Sequence, residues 1–399
     1  MPHRPLVPVL LRSSILLYTG FVQTVAGFVL LLALNVFPSP FLPAQAMPTS
    51  SAGFSTLAAK ANAARDAERL DEALPLYRKA LALRPGWAEG WWSLGTIEFD
   101  QNAYAEAVRA FQKVTVLSPR NGTAYVMLGL SEFELGRDEL ALQHLQKGSD
   151  IGLDKDVGLR HAVLYHEGVL LQRKGKFEAA QQMLEQLCLQ GVQNDEIANA
   201  LGMTLLRSDA KRPPAQGTAD AAVVVSIGRA ECLAGQKKYD EARPGFEQVV
   251  QENPNYPNIH YAFGLFLLEA SDVAGGVEQL KKEIANHPGH VFARLQIASA
   301  EYKVDSAAGV PFAQEAVKLD PRMPLGHYLL GLLLLDVDQP EKAISELEVA
   351  EKIFHQDPKV YFALGSAYSR VGRKQDAARA RASFERLSKQ GRESKPGEQ

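Results

Sequence analysis

Cysteine is nearly absent from this sequence of 399 residues, which contains only Cys188 and Cys232. So few cysteines exclude a disulfide-dense scaffold and a metal site built from four thiolates. One disulfide between the two residues is arithmetically possible. Both residues lie inside apolar stretches of helical character, however, and this setting favours buried thiols over a disulfide.

An excess of positive charge is also missing, because 43 Lys and Arg residues face 46 Asp and Glu residues. Residues 1–46 carry only Arg4 and Arg12 and no acid, so the rest of the chain has a net charge of −5. A generally basic surface for nucleic acid is therefore not predicted. The shares of hydrophobic residues (46%) and charged residues (22%) are typical of a folded soluble protein and argue against disorder, collagen and a polytopic membrane protein.

Sequence motifs for catalysis and metal binding are missing as well. There is no Gly-x4-Gly-Lys-Ser/Thr phosphate loop, no dinucleotide fingerprint and no Gly-x-Ser-x-Gly elbow. His166-Glu167 begins like a zinc-protease helix, but Leu170 stands where the second histidine ligand is required. His161 lies five residues before His166 and aligns poorly with it on a helix. We therefore predict no metal site, no cofactor and no enzyme.

The N-terminal segment is apolar, and no charged residue occurs between Arg12 and Lys60. Its run Ser13–Phe37 is long enough for a membrane-spanning helix, which needs about 20 residues. Basic residues precede this run and none follow it closely, which predicts an N-terminus in the cytoplasm and the remainder of the chain across the bilayer. The segment is therefore interpreted as an export signal.

Two interpretations of residues 1–46 stay open. Three prolines between residues 38 and 43 end the helix and lead into Ala44-Gln45-Ala46, a triplet that suits signal peptidase. Cleavage there would release the protein to the periplasm, the cell envelope or the extracellular space. The apolar run exceeds the roughly 7 to 15 residues of a signal-peptide core, so the alternative is a single-pass membrane anchor. Residues 47–53 are predicted to form a flexible lead-in.

From residue 54 onward, a small residue recurs at intervals close to 34 residues. The positions are Ala61, Gly95, Gly129, Gly168, Gly202, Gly228, Gly264, Ala298, Gly331 and Gly365. A second small residue follows 12 positions later in most units, but after Gly228 the alanine falls 14 positions later, at Ala242. Glycine inside a helix costs about 1 kcal/mol relative to alanine, so its recurrence indicates that helices pack closely at these positions.

The second unit shows the complete pattern of one repeat. Its residues are Trp91, Leu94, Gly95, Ala107, Phe111 and Pro119. They resemble the tetratricopeptide repeat family, whose helix-turn-helix unit of 34 residues has a Trp-x2-Leu-Gly-x2-Tyr opening, a central alanine, an aromatic and a closing proline. The resemblance covers nearly all of residues 54–391. It implies an all-α fold class, an α-α superhelix or solenoid of hairpins, preceded by the hydrophobic export segment.

Departures from the period predict how the chain is divided. Asp195–Arg207 has the pattern of a first helix whose partner is missing, and a loop with Pro213-Pro214 follows it. The predicted parts are an N-terminal repeat array (54–208), a proline-containing loop (209–220), a C-terminal array with a capping helix (221–391) and a polar tail (392–399). A kink or hinge is expected at the loop.

The resemblance further implies a concave surface formed by the first helices of the hairpins. Its ligand-facing residues lie three positions before each small residue. The aromatic and apolar candidates are Trp92, Val126, Tyr165, Tyr261, Leu295, Tyr328 and Phe362. No lysine occupies these positions, which argues against the clamp with which some family members hold a peptide carboxylate. Such a groove favours a protein or peptide partner with hydrophobic anchors. Packing between neighbouring helices is the alternative use of these side chains.

Together these features predict an exported, non-catalytic scaffold that binds other proteins in the cell envelope, with the repeats outside the cytoplasm. No nucleic-acid partner is expected, and the membrane is contacted only through the N-terminal segment. One alternative is a carbohydrate-binding module in which groove aromatics, Trp92 above all, stack on sugar rings. Another is a hydrolase with a catalytic site that no motif identifies.

Overall fold

A computed structural model describes residues 49–153, 156–210, 212–302 and 304–393. Within these ranges the chain forms α-helices joined by turns and loops, without any β-strand, and the prediction of an all-α fold is confirmed. The export segment predicted for residues 1–46 lies outside the described residues, as does the polar tail from residue 394 onward. No helix in the described ranges is both long enough and apolar enough to cross a membrane.

The chain divides into two compact units, residues 1–190 and residues 191–399. The described helices of the first unit are α1 (Thr49–Asp66), α2 (Leu70–Leu83), α3 (Ala88–Asp100), α4 (Tyr104–Leu117), α5 (Gly122–Glu134), α6 (Asp138–Ile151), α7 (Val157–Arg173) and α8 (Phe177–Leu189). They pack in sequence as hairpins, α1 with α2, α3 with α4, α5 with α6 and α7 with α8. Because α1 begins at Thr49, part of the segment predicted as a flexible lead-in is helical.

The second unit contains one single helix followed by hairpins. Its helices are α9 (Asp195–Leu205), α10 (Ala219–Gly235), α11 (Tyr239–Glu252), α12 (Ile259–Glu269), α13 (Val273–Asn286), α14 (Val291–Glu301), α15 (Ser306–Leu319), α16 (Pro324–Asp336), α17 (Pro340–Glu351), α18 (Pro358–Arg370) and α19 (Lys374–Glu393). The sequence places α9 in the N-terminal array, whereas in the structure this helix lies in the second unit. Helix α19 covers the predicted capping helix and extends to residue 393.

In most regular hairpins the small residue lies where the two helices approach closely, and α18–α19 with Gly365 is the looser exception. A Cβ atom added to Gly129 on α5 would lie 2.9 Å from Cγ of Leu145 on α6, and one added to Gly331 on α16 would lie 2.6 Å from Cγ of Leu347 on α17. Contacts this short do not occur in relaxed packing. The leucine side chain therefore occupies the space that the missing Cβ leaves, as the recurrence of glycine predicts.

The turn inside most hairpins contains one residue with a left-handed backbone, seven positions after the small residue; α14–α15 is an exception, because Asp305 at that position has a φ of −139°. These residues are Glu68, Asn102, Gly136, Gly175, Ser271, Asp338 and Gly372. A single residue of positive φ reverses the chain between the two helices and lets its amide bond back to the first helix, as Asn102 N–H does to the Phe99 carbonyl at 2.9 Å. The period of 34 is thus repeated in the turns.

The turn also explains the irregular position of Ala242. In this hairpin the left-handed residue is Lys237, five residues before Ala242 as in the regular hairpins, but nine after Gly228. The residue seven before Lys237 is Ala230, which is buried and packs against Gly245 of α11. The small position of this hairpin is therefore Ala230, and choosing Gly228 from the sequence was wrong.

Gly228 serves a different contact, between α10 and the single helix α9. A Cβ added to Gly228 would lie 1.7 Å from the Ala198 carbonyl oxygen, and one added to Gly202 would lie 1.8 Å from the Val224 carbonyl oxygen. The two helices therefore touch backbone to backbone. In the part of the chain that the structure describes, α9 is not followed by a second helix of its own hairpin, and α10 packs against both α9 and α11.

Both cysteines are buried, Cys188 on α8 and Cys232 on α10. Each is in the disulfide form. The interpretation of the two residues as buried thiols is therefore wrong. Apolar helical surroundings predicted their burial correctly but carried no information about their oxidation state.

Candidate protein-interaction surface

The seven predicted groove residues all lie on first helices of hairpins. Trp92, Val126 and Tyr165 lie in the first unit, on α3, α5 and α7, and the other four lie in the second unit, on α12, α14, α16 and α18. Their exposure differs widely although their register is the same. The structure therefore separates side chains that are available to a partner from side chains that are consumed by packing.

Three of the seven residues are buried. The exposed fractions are 0% for Val126, 1% for Tyr261 and 4% for Leu295. Val126 belongs to the apolar core of the first unit, together with Leu145. Because side chains this deeply buried cannot touch a ligand without rearrangement, they serve packing between neighbouring helices.

Tyr261 is buried by a residue that precedes it by 54 positions. Nη2 of Arg207 donates a hydrogen bond to the Tyr261 hydroxyl at 3.2 Å, and the guanidinium also lies 3.9 Å from the centre of the Phe292 ring. The His290 ring packs on Tyr261 with a centroid distance of 4.8 Å. The loop that follows α9 is thereby attached to α12 and α14.

Three further candidates are half-buried: Trp92, Tyr165 and Tyr328. The Trp92 indole packs edge-on against Phe111 with a centroid distance of 5.5 Å. Tyr328 packs against the core of the second unit, and burial together with the nearby Asp357 charge raises the pKa of its hydroxyl. Each of these rings is held in place by the protein and keeps part of its surface open.

Phe362 is the exposed member of the set, with 66% of its surface accessible. Its ring lies 5.6 Å from the ring of Phe384 on α19, centroid to centroid. Among the seven candidates it offers the largest apolar surface to solvent, although isolated exposed apolar side chains such as Val116 (77%) and Leu189 (60%) also occur elsewhere on the protein. Phe362 is therefore the strongest candidate for a residue that anchors a partner.

A buried carboxylate that no sequence pattern predicted, Glu283, lies at the start of α12. Its two oxygens accept the backbone N–H groups of Asn258 and Tyr261, each at 3.2 Å, and Oε1 also lies 2.7 Å from Nδ1 of His287. These amides are the unpaired donors of a helix N-terminus, so a carboxylate from α13 caps α12. His290 joins this cluster through a 2.8 Å hydrogen bond between Nε2 and the Asn258 side chain.

The histidines singled out in the sequence are packed or hydrogen-bonded. His166 is buried on α7, its Nδ1 lies 2.6 Å from the Ala162 carbonyl, and burial lowers its pKa to about 4. The adjacent Glu167 is also buried, which raises the pKa of its carboxyl to about 7. Nε2 of His161 lies 2.8 Å from the Gln190 side-chain oxygen. This arrangement fits structural roles for both histidines.

This architecture defines a class, the proteins built from stacked helical hairpins. Residues 58–121, 99–152 and 227–291 match the family model of the tetratricopeptide repeat. These segments cover the hairpins α3–α4, α5–α6 and α12–α13 and include their small positions. Three segments of this chain are therefore similar to the tetratricopeptide repeat.

Among curated proteins, the BBSome complex member BBS4 from Bos taurus is 23% identical over 261 residues, which are 65% of this chain. The match spans 44% of the length of that relative. A solved structure of MamA from Desulfovibrio magneticus RS-1 is 21% identical with a TM-score of 0.39, covering 44% of this chain and 97% of that structure. The APC/C hetero-tetramer Cut9-Hcn1 is 12% identical with a TM-score of 0.35, covering 84% of this chain and 87% of that structure.

Proposed function

We propose that this protein is a non-catalytic scaffold that binds a protein or peptide partner carrying hydrophobic anchors, in the cell envelope outside the cytoplasm. The tetratricopeptide repeats support the scaffold part of this proposal. The protein matched over part of its length by this chain is itself named as the member of a complex.

The observation that supports binding is the graded exposure of the aromatic residues at one register. Trp92, Tyr165 and Tyr328 are half-buried and Phe362 is largely exposed, whereas Val126 and Leu295 at the same register are buried. Rings fixed by packing and open on one face lose little conformational freedom when a partner covers them. Partner binding at hot spots uses side chains of this kind.

The location in the envelope rests on residues 1–46 of the sequence. Their apolar run between Arg12 and Lys60, preceded by positive charge, has the organisation of an export signal or a membrane anchor. N-terminal sequencing of the mature protein tests this part alone. A chain that begins at residue 47 indicates cleavage, and a complete chain in the membrane fraction indicates the anchor. A complete chain in the cytoplasmic fraction would contradict export.

The binding part of the proposal is tested by crosslinking the full-length protein in envelope fractions and identifying the captured peptides by mass spectrometry. The informative variant is Trp92→Ala combined with Phe362→Ala, because the structure leaves both rings accessible. We expect this variant to lose its captured partner while its helical content stays unchanged. Val126→Ala is the matched control, since it removes a buried side chain at the same register and should reduce stability without abolishing capture.

Other outcomes would contradict the proposal. If the double variant captures the same partner as the wild type, the aromatic register does not bind it. If no partner is recovered from crosslinked envelopes at all, the scaffold function itself is in doubt. Binding to oligosaccharides that is lost with Trp92→Ala would favour the carbohydrate-binding alternative instead.

A further inference from the structure

The last hairpin, α18–α19, differs from the rest of the molecule in charge. Residues 358–390 contain eight Lys and Arg residues and two acids, a net charge of +6 in a chain whose net charge is −3. One of these acids, Asp376, is engaged by Arg373 at 2.6 Å and by Arg379. Arg370 and Arg373 also lie within 4 Å of Asp338 and Glu348 outside this hairpin, so its positive surface comes mainly from the remaining basic residues, Lys359 and Arg381 among them.

The exposed Phe362 lies on this positive hairpin. Lys359 precedes it by one turn on α18 and is exposed, and Phe384 packs against one edge of its ring. The side chain of Arg381 on α19 lies over α18, and a Cβ added to Gly365 would be 3.6 Å from its Cγ atom. Its guanidinium donates a hydrogen bond to the Ser369 hydroxyl at 2.8 Å. This hydroxyl is neutral and does not compensate the guanidinium charge.

We propose that Phe362, Phe384, Lys359 and Arg381, the Phe362 patch, form a docking site for an acidic peptide segment with one aromatic or branched apolar anchor. The anchor would cover the open face of the Phe362 ring, and carboxylates on either side of it would pair with Arg381 and Lys359. The charge of the whole hairpin would attract such a segment before contact. This inference rests on the proposed scaffold function and specifies one of its partners.

An anionic membrane surface is the other polyanion that a basic helix could bind, and the packing of α19 argues against it. Interfacial helices insert a continuous apolar face into the lipid. On α19 that face is already used, since Ala377, Ala380 and Leu387 are buried within the protein. A single exposed phenylalanine suits a peptide anchor better than a lipid surface.

The test is fluorescence anisotropy with the full-length protein and a labelled peptide of Glu and Ser residues around one central Phe. We expect binding that weakens as ionic strength rises, and about tenfold weaker binding for Phe362→Ala and for Arg381→Glu. A peptide with Ser in place of the Phe should bind at least about tenfold more weakly, and one with Lys in place of Glu should not bind.

Matched variants separate the Phe362 patch from general effects of charge and exposure. Arg386→Glu makes the same charge reversal on α19, at a position on the opposite side of the helix from Phe384. Leu325→Ala removes another exposed apolar side chain, 48% accessible, from α16. Both should bind the peptide within about twofold of the wild type. Circular dichroism of all four variants confirms that each is folded.

Three results with the peptides and variants would overturn the inference, as would the absence of any binding to the acidic peptide. The first is equal weakening by Arg386→Glu and Arg381→Glu, which would indicate attraction by net charge alone. The second is unchanged binding by Phe362→Ala. The third is binding to vesicles of anionic lipid in place of the peptide. If no acidic peptide binds but crosslinking still captures a partner through other residues, the scaffold function stands and this inference fails. If the peptide binds but no envelope partner exists, the Phe362 patch stands as a binding site and the proposed scaffold function fails.

Discussion

The hairpin α5–α6 of the first unit and the pair α9–α10 of the second unit use glycine for different purposes. Gly129 makes room for a side chain, Leu145, whereas Gly202 and Gly228 let two backbones touch at their carbonyl groups. A leucine side chain can shift by a few tenths of an ångström, but a helix backbone cannot without moving the whole helix. The irregular pair should therefore tolerate substitution least.

The two units also differ in the hydrogen bonding of a buried carboxylate. In the second unit Glu283 is 0% exposed and accepts two backbone N–H groups as well as contacting His287. In the first unit Oε1 of Glu167 is buried and has no hydrogen-bond partner among the residues that the structure describes. A satisfied buried carboxylate stabilises the structure around it, while an unsatisfied one favours its neutral form. The following predictions test these contrasts.

Gly228→Ala should have the largest effect. The added methyl would lie 1.7 Å from the Ala198 carbonyl oxygen, so α9 and α10 must separate. We expect the free energy of unfolding of the second unit to fall by about 3 kcal/mol or more. Urea unfolding followed by far-ultraviolet circular dichroism measures this loss. Gly289→Ala is the control, because no atom of the described residues lies within 4 Å of its added methyl and the substitution should change stability little.

Glu283→Gln should have the next largest effect. A carboxamide offers one acceptor oxygen in place of two, so one of the N–H groups of Asn258 or Tyr261 loses its partner inside the protein. We expect a loss of about 1 to 3 kcal/mol. Glu278→Gln on the same helix removes only an exposed pair with Lys282 and should cost less than about 0.5 kcal/mol. Equal losses for both variants would contradict the capping role of Glu283.

Glu167→Gln should change the pH dependence of the first unit. The pKa of Glu167 is raised from 4.5 to about 7, so its favourable contribution is present below pH 4.5 and is lost as pH rises through about 7. The pKa of His166 is lowered from 6.5 to about 4, so its contribution is present above pH 6.5 and is lost as pH falls. In the wild type the two effects partly cancel.

The variant should keep only the His166 effect. Its stability relative to the wild type should rise by on the order of 1 kcal/mol between about pH 5 and pH 8. The three tryptophans, residues 87, 91 and 92, all lie in the first unit, so tryptophan fluorescence during urea unfolding reports on this unit. Glu72→Gln, which replaces an exposed carboxylate, should follow the wild type. If the stability of Glu167→Gln depends on pH in the same way as that of the wild type, burial does not raise the pKa of Glu167.

Gly365→Ala should have the smallest effect and the opposite sign. The nearest atom to its added methyl is Cγ of Arg381 at 3.6 Å, an ordinary contact. Alanine favours a helix over glycine by up to about 1 kcal/mol, so this substitution should stabilise the last hairpin by a few tenths to about 1 kcal/mol. Thermal unfolding monitored by circular dichroism measures the gain. A loss of stability would show that the helices also leave no room for a methyl group at Gly365.

The repeat period was sufficient to predict the helical hairpins, because the same small residue recurs wherever two helices must approach. It was not sufficient to choose between Gly228 and Ala230, since both are small and lie two residues apart. The small position is identified only by the left-handed turn residue Lys237, seven residues after Ala230. A positive φ at a lysine cannot be predicted from the residue type. Gly228 instead reports the contact with α9, whose own partner helix the sequence lacks.

The candidate surface was predictable in position but not in exposure. The register placed Tyr261 and Phe362 on equivalent turns of two first helices, yet one is 1% exposed and the other 66%. Tyr261 is covered by Arg207 from the loop after α9 and by the ring of His290, whereas the ring beside Phe362 is that of Phe384 on α19. Contacts between residues so distant in sequence depend on the fold of the loop, and a pattern with a period of 34 contains no information about them.

The most direct test of the repeat packing is an alanine scan of the helical glycines, with the change in unfolding free energy measured for each variant. The positions are Gly95, Gly129, Gly168, Gly202, Gly228, Gly264, Gly331 and Gly365. The account predicts that the losses follow the room for a methyl group, largest at Gly228 and Gly202 and reversed in sign at Gly365. Losses of similar size at all eight positions would contradict it, because they would show that these glycines are not packing contacts.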